Sequence, residues 1–190
     1  MLESEKYKKM QNMKCYAYIV AGVVFQTIII LVFALTVMRI KTPRVRVRSV
    51  TVQNLNYNAS GAPHFNMTLI MEIAVKNTNF GHFRFENTTA NITFGSVVVG
   101  RGEIIKSRAR ARKTKRMNVA VDIVSSSAIS DGNDELRTEL SSGTLRLAGV
   151  ARLRGKVTLM KMMKKSKTAE MNCTMTVNLS SHALQDLDCE

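Results

Sequence analysis

Residues 65–76 read FNMTLIMEIAVK: the odd positions Phe65, Met67, Leu69, Met71, Ile73 and Val75 are all apolar, and Asn66, Thr68, Glu72 and Lys76 lie between them. Successive side chains of a β-strand point to opposite faces, so this period of two describes a strand with one face in a core and the other in water. The alternation recurs in both directions. Upstream, Val45 and Val47 alternate with Arg44, Arg46 and Arg48, and Val50 and Val52 then take the opposite parity, which predicts a bulge near Ser49. Downstream, Ala90, Ile92 and Phe94 carry a third strand and Val97 to Val99 a fourth, with Gly95 and Ser96 as the turn between them. Met117, Val119, Val121 and Ile123 form a fifth. The apolar series from Leu145 to Leu159 makes a long sixth, with Arg146, Arg152, Arg154 and Lys156 outside, and Met171, Cys173, Met175, Val177 and Leu179 make a seventh. Only Ser126 to Leu140 departs from this rule, with Ile129, Leu136 and Leu140 at helical spacing, so one short helix is expected between strands five and six. The expected class is mainly β: a seven-stranded antiparallel β-sandwich over residues 45–190 with one short helix.

Ahead of this domain stands AYIVAGVVFQTIIILVFALTVM, residues 17–38, 22 positions without an Asp, Glu, Lys, Arg or His. As a helix it reaches roughly 33 Å, enough to cross a hydrocarbon core of about 30 Å. A cleaved signal peptide has a shorter apolar region and small residues at its cleavage site, whereas Arg39-Ile40-Lys41 follows here. The segment therefore reads as an uncleaved signal anchor, a single transmembrane helix that stops near Thr42 because Pro43 follows. Residues 1–16 read as a solvated cytosolic tail and 39–44 as a linker. Cys15 at the membrane edge suits either palmitoylation or a free thiol.

The chain carries a formal charge of +14. Lys6, Lys8, Lys9 and Lys14 against Glu3 and Glu5 account for +2 of it, so +12 belongs beyond residue 38. Such a domain is drawn to anionic surfaces. Arg108, Arg110, Arg112, Lys113, Lys115 and Arg116 precede strand five, and Lys161, Lys164, Lys165 and Lys167 crowd the connection between strands six and seven. One reading is solvated strand edges that discourage edge pairing; the other is a surface for anionic lipid or acidic cell-wall polysaccharide. Nucleic acid fits poorly, because the clusters are not interleaved with stacking aromatics.

Sidedness is not decided by lysine and arginine, which flank the apolar segment on both sides. The glycosylation pattern N-x-S/T does better: it occurs at Asn58, Asn66, Asn87, Asn91, Asn172 and Asn178, all after the apolar segment. Several of these place Asn outward and its apolar neighbour inward. A lumenal or extracellular domain follows as the expectation. In that oxidising setting Cys173, inward on the last strand, is expected to pair with Cys189 as the tail folds back. No metal site is expected, since His64, His82 and His182 are isolated and Asp131, Asn133 and Glu135 mimic an EF-hand loop whose last position is Ser142. No G-x-S-x-G, P-loop or G-x-G-x-x-G is present, so no catalytic residues and no cofactor are assigned.

The stretch Val75-Lys-Asn77-Thr-Asn79-Phe80-Gly81, followed by Phe83-Arg-Phe85-Glu-Asn87, resembles the K-N-P-N signature of the plant late embryogenesis abundant type 2 domain. Lys113-Thr114-Lys115 and Asn172-Cys173 agree with it, and Thr78 stands where that family usually has Pro. With its N-terminal anchor the chain looks like the harpin-induced and disease-resistance-like branch. The resemblance implies a fibronectin type III-like sandwich, a plasma-membrane anchor with the domain facing the apoplast, no catalytic residues, and a role in stress or defence. The combined expectation is a single-pass, non-enzymatic, glycosylated membrane protein; the alternative is a cytosol-facing lipid-binding or membrane-bridging module.

Overall fold

The computed structural model describes residues 2–37, 39–125, 134–159 and 163–189 and divides into two compact units, Met1–Ile40 and Lys41–Glu190. The first unit is one helix, α1 (Leu2–Val37). Its stretch Met13–Thr36 has a mean hydropathy of 2.6 and none of it is buried. Thr27 and Thr36 donate their hydroxyls to the carbonyls of Val23 and Val32, both at 2.8 Å, so neither leaves a polar group without a partner in an apolar medium. Residues 2–16, read from the sequence as a tail without periodicity, continue the same helix. Lys, Glu, Met and Gln dominate there and all favour helix without needing an apolar face. The helix ends at Val37, short of the expected stop near Thr42.

Among its described residues the second unit holds ten strands where seven were expected: β1 (Arg44–Asn58), β2 (His64–Lys76), β3 (His82–Phe85), β4 (Thr88–Phe94), β5 (Val97–Ile104), β6 (Ser107–Ala109), β7 (Thr114–Val124), β8 (Thr144–Leu159), β9 (Met163–Asn178) and β10 (Ala183–Cys189). They form one antiparallel sheet in the order β1-β2-β7-β5-β4-β8-β3-β6, with β9 between β8 and β10. The sheet curls so that β1 packs beside β9 and β10, which makes it barrel-like and corrects the seven-stranded sandwich. The three additional strands are β3, β6 and β10. The first two have only four and three residues, too few for alternation to register, and β10 has no buried position to supply a pattern.

The expected faces are the observed ones. Phe65, Met67, Leu69, Met71, Ile73 and Val75 are fully buried, against Val119, Val121 and Ile123 of β7 in direct register. The bulge near Ser49 is present as a register slip between Val47 and Ser49, and a second slip lies between Gln53 and Asn56. The helix between β7 and β8 is α2 (Asp134–Ser142), which buries Leu136 and Leu140. Gly143, at φ 77°, ends it in the left-handed conformation, with its amide donating to the Leu140 carbonyl at 3.2 Å. Ile129 and the rest of 126–133, the first part of that expected helix, lie outside the described residues. At Gly155 on β8, a Cβ would run into the Arg84 carbonyl and the Phe83 ring, so only glycine lets β3 lie against β8 here.

Among the described residues two polar side chains are buried with this core, Asn77 (1% exposed) and Asn79 (4%). The Asn77 Nδ2 donates to the carbonyls of Gly81 (2.8 Å), Ala109 (3.2 Å) and Arg110 (3.1 Å). Its Oδ1 accepts from the backbone N (3.1 Å) and Nδ2 (3.0 Å) of Asn79. Asn79 in turn exchanges two bonds with Lys41, accepting from its amide at 2.6 Å and donating to its carbonyl at 2.7 Å. The turn that carries Thr78 instead of Pro is thus closed by the Asn77 side chain. Replacing Asn77 by Ala leaves buried carbonyls and the Asn79 amide without partners. It is expected to lower stability by about 2–4 kcal/mol, read as a fall in thermal midpoint of the domain. A variant that melts like the parent would show that the network contributes nothing.

Candidate anionic-surface site

The turn closed by Asn77 and the loop Arg110–Lys113 are held together by backbone bonds as well: Asn77 N donates to Lys113 O and Arg112 N to Asn79 O, both at 3.0 Å. Arg112 sits at φ 55°. Its Nη1 reaches the Thr78 carbonyl at 3.1 Å, and its guanidinium lies 5.0 Å above the ring of Phe80, which is 51% exposed. This end of the sheet therefore gathers Lys41, the turn 77–81, the loop 109–113 and, through His82 opposite Thr158 and Leu159 opposite Met163, the last residues of β8 and the first of β9.

The segments that meet there share one compositional property. No Asp or Glu occurs in residues 73–85, 104–121 or 141–169. On the outer face Arg108 of β6, Arg84 of β3 and Lys156 of β8 stand directly opposite one another in register. Opposed side chains in an antiparallel sheet have Cβ atoms roughly 4.5–5.5 Å apart, and like charges so placed repel. None of the three has an ion-pair partner among the described residues; Arg116, Arg146 and Arg152 are the arginines paired with carboxylates, to Glu72 (3.6 Å), Glu139 (3.6 Å) and Glu170 (3.3 Å). An open groove of about 550 Å³ runs beside the row, lined by Phe80, His82, Arg84, Arg108, Thr158 and Lys164 among others.

The cations singled out in the sequence are thus divided. Arg108 and Lys164 share the groove, and Arg110, Arg112 and Lys113 form the adjoining loop. Lys115 and Arg116 belong to β7, where Arg116 turns to Glu72. Lys165 and Lys167 have the opposite parity to Lys164 on β9, and Lys161 lies outside the described residues. Arg84 and Lys156, at the middle of the row, were not singled out as a site. Their signal was the absence of acidic residues across three separate segments, which acquires meaning only once those segments are neighbours. Both lie on strands paired on either side, so edge protection does not account for them.

Of the glycosylation asparagines, Asn58, Asn66, Asn87 and Asn172 are exposed and Asn91 and Asn178 partly so. The two buried asparagines, Asn77 and Asn79, are not in such a motif. Asn91 and Asn172 flank Val150 in register across β4, β8 and β9. Cys173 and Cys189 are directly opposed on β9 and β10 and joined by a disulfide, 16 residues apart in sequence.

Because the row sets like charges against one another, added salt is expected to raise the thermal midpoint of the protein by screening them. Arg84→Gln is expected to raise it at low salt and to flatten that dependence. An unchanged salt dependence in the variant would show that the three charges do not interact.

No family model matches the chain. Late embryogenesis abundant protein At1g64065 of Arabidopsis thaliana is 35% identical over 172 residues, covering 86% of this chain and 79% of that protein. Among solved structures, that of AT1g01470 from Arabidopsis thaliana aligns with a TM-score of 0.40 at 11% identity, covering 71% of this chain and 82% of that one. A protein from Archaeoglobus fulgidus aligns with a TM-score of 0.31 at 9% identity, covering 66% and 95%. By its sequence identity over most of both chains, this protein belongs to the late embryogenesis abundant family.

Proposed function

We propose that this protein is a single-pass, non-enzymatic membrane protein of the plant stress or defence response, of the harpin-induced and disease-resistance-like branch, with residues 44–190 on the lumenal or extracellular side of the plasma membrane. The observation that carries the reading is the placement of the six N-x-S/T asparagines. All follow the apolar helix, all are accessible, and the asparagines committed to the core lack the motif. The Cys173–Cys189 disulfide supports the same side, because such bonds persist in oxidising compartments. A stable, glycosylated sheet presented outside the cell acts by binding, and its charge favours anionic lipid or acidic wall polysaccharide as the bound surface.

The alternative, a cytosol-facing lipid-binding or membrane-bridging module, draws on Arg39, Lys41, Arg44, Arg46 and Arg48 just past the helix, since a lysine and arginine excess favours the cytosolic side. Protease treatment of sealed microsomes separates the two. The lumenal reading expects residues 44–190 to survive until detergent is added, and the surviving fragment to gain mobility after glycosidase. A domain digested in intact vesicles, with mobility unchanged by glycosidase, reverses the assignment.

The disulfide has its own test. Mass spectrometry of the non-reduced protein from its native membrane is expected to show Cys173 and Cys189 linked, and Cys173→Ser to cost about 3 kcal/mol for a loop of this length. Two free thiols would remove this support for the lumenal side.

A further inference from the structure

We infer that the Arg108–Arg84–Lys156 row and the groove beside it form a binding site for a linear polyanion of carboxylates, a polyuronate. The inference rests on the extracellular placement proposed above and names the class of ligand that the domain meets there.

The row is built rather than incidental. Its members come from three strands, β6, β3 and β8, and are brought into direct opposition by backbone register. A second row, His82, Thr158 and Lys164, runs parallel to it across β3, β8 and β9. Neighbouring strands are about 4.8 Å apart, so the three cations of the first row span roughly 10 Å in a line. Arg108 lies on the terminal strand β6, where edge protection accounts for a charge, but that account does not reach the other two. Arg84 and Lys156 sit on strands with both edges paired, their mutual repulsion opposes folding, and no carboxylate neutralises them among the described residues. A sheet that keeps uncompensated charge at a groove departs from the rule that each local choice favours the fold, and such departures mark binding sites.

The geometry selects the ligand. A planar guanidinium matches a carboxylate by two parallel N–H···O bonds, and two of the three central cations are arginines. A line of cations engages a polymer that presents one carboxylate per residue along its length, whereas a single headgroup meets one or two of them. Phe80 lines the groove and holds the Arg112 guanidinium 5.0 Å above its ring, which adds a further cation beside the row. Anionic lipids are concentrated in the cytoplasmic leaflet, which the proposed placement separates from the domain.

The test uses the full chain in nanodiscs of neutral phosphatidylcholine, with polygalacturonate as the probe and its fully methyl-esterified form as the uncharged comparison. Polygalacturonate is expected to bind, more weakly as salt rises, and the esterified polymer not to bind. The triple variant R84Q/R108Q/K156Q is expected to bind about tenfold or more weakly while melting at or above the parent temperature. R48Q/R101Q/R137Q, which removes as much charge elsewhere, is expected to retain binding. The inference is overturned by absence of binding to polygalacturonate, by equal loss in the two triple variants, or by tighter binding to phosphatidylserine vesicles than to the polymer. Because binding is measured on purified protein, its failure is distinct from a failure of the topology, which the microsome experiment reads.

Discussion

The domain depends on two buried amides. Asn77 and Asn79 together hold the carbonyls of Lys41, Gly81, Ala109 and Arg110, which lie at or beyond the strand ends. Buried carbonyls without partners cost free energy, so a turn, a loop and the entering chain converge where one pair of side chains can satisfy them all. Asparagine suits this role because it offers both donors and an acceptor without charge. Aspartate there would present acceptors to carbonyls, and an apolar residue would present nothing.

That convergence has an electrostatic consequence. The turn, the loop and the adjoining ends of β8 and β9 all belong to acid-free stretches of the chain, and joining them concentrates positive charge at one end of the sheet. The repulsion is tolerable because the buried face beneath is continuous: Phe83 and Phe85 of β3 and Val157 of β8 are buried under Arg84 and Lys156. Period two separates the two jobs. One parity carries the packing, and the other is left free for charge and for the asparagines of the N-x-S/T motif.

The same separation bears on the membrane-anchored reading of the protein. An apolar helix without buried residues delivers the chain to a domain whose accessible asparagines carry the glycosylation motif and whose core asparagines do not. The surface is where this chain is chemically distinctive.

The sequence by itself determined the faces. Alternation in FNMTLIMEIAVK and its counterparts fixed which side chains enter the core, and a run of 22 residues without charge marked the apolar helix, because both signals arise from neighbours along the chain. Even the slip at Ser49 was legible, since a bulge reverses parity locally. Strands β3 and β6 were not, being too short to show a period, and β10 buries nothing. Ten strands in one curled sheet, and not seven in two layers, followed from pairings between segments far apart in sequence. The row Arg108–Arg84–Lys156 is of this second kind. Each residue read alone is an outward cation on a strand, and only hydrogen-bond register between strands distant in the chain makes the three a single site.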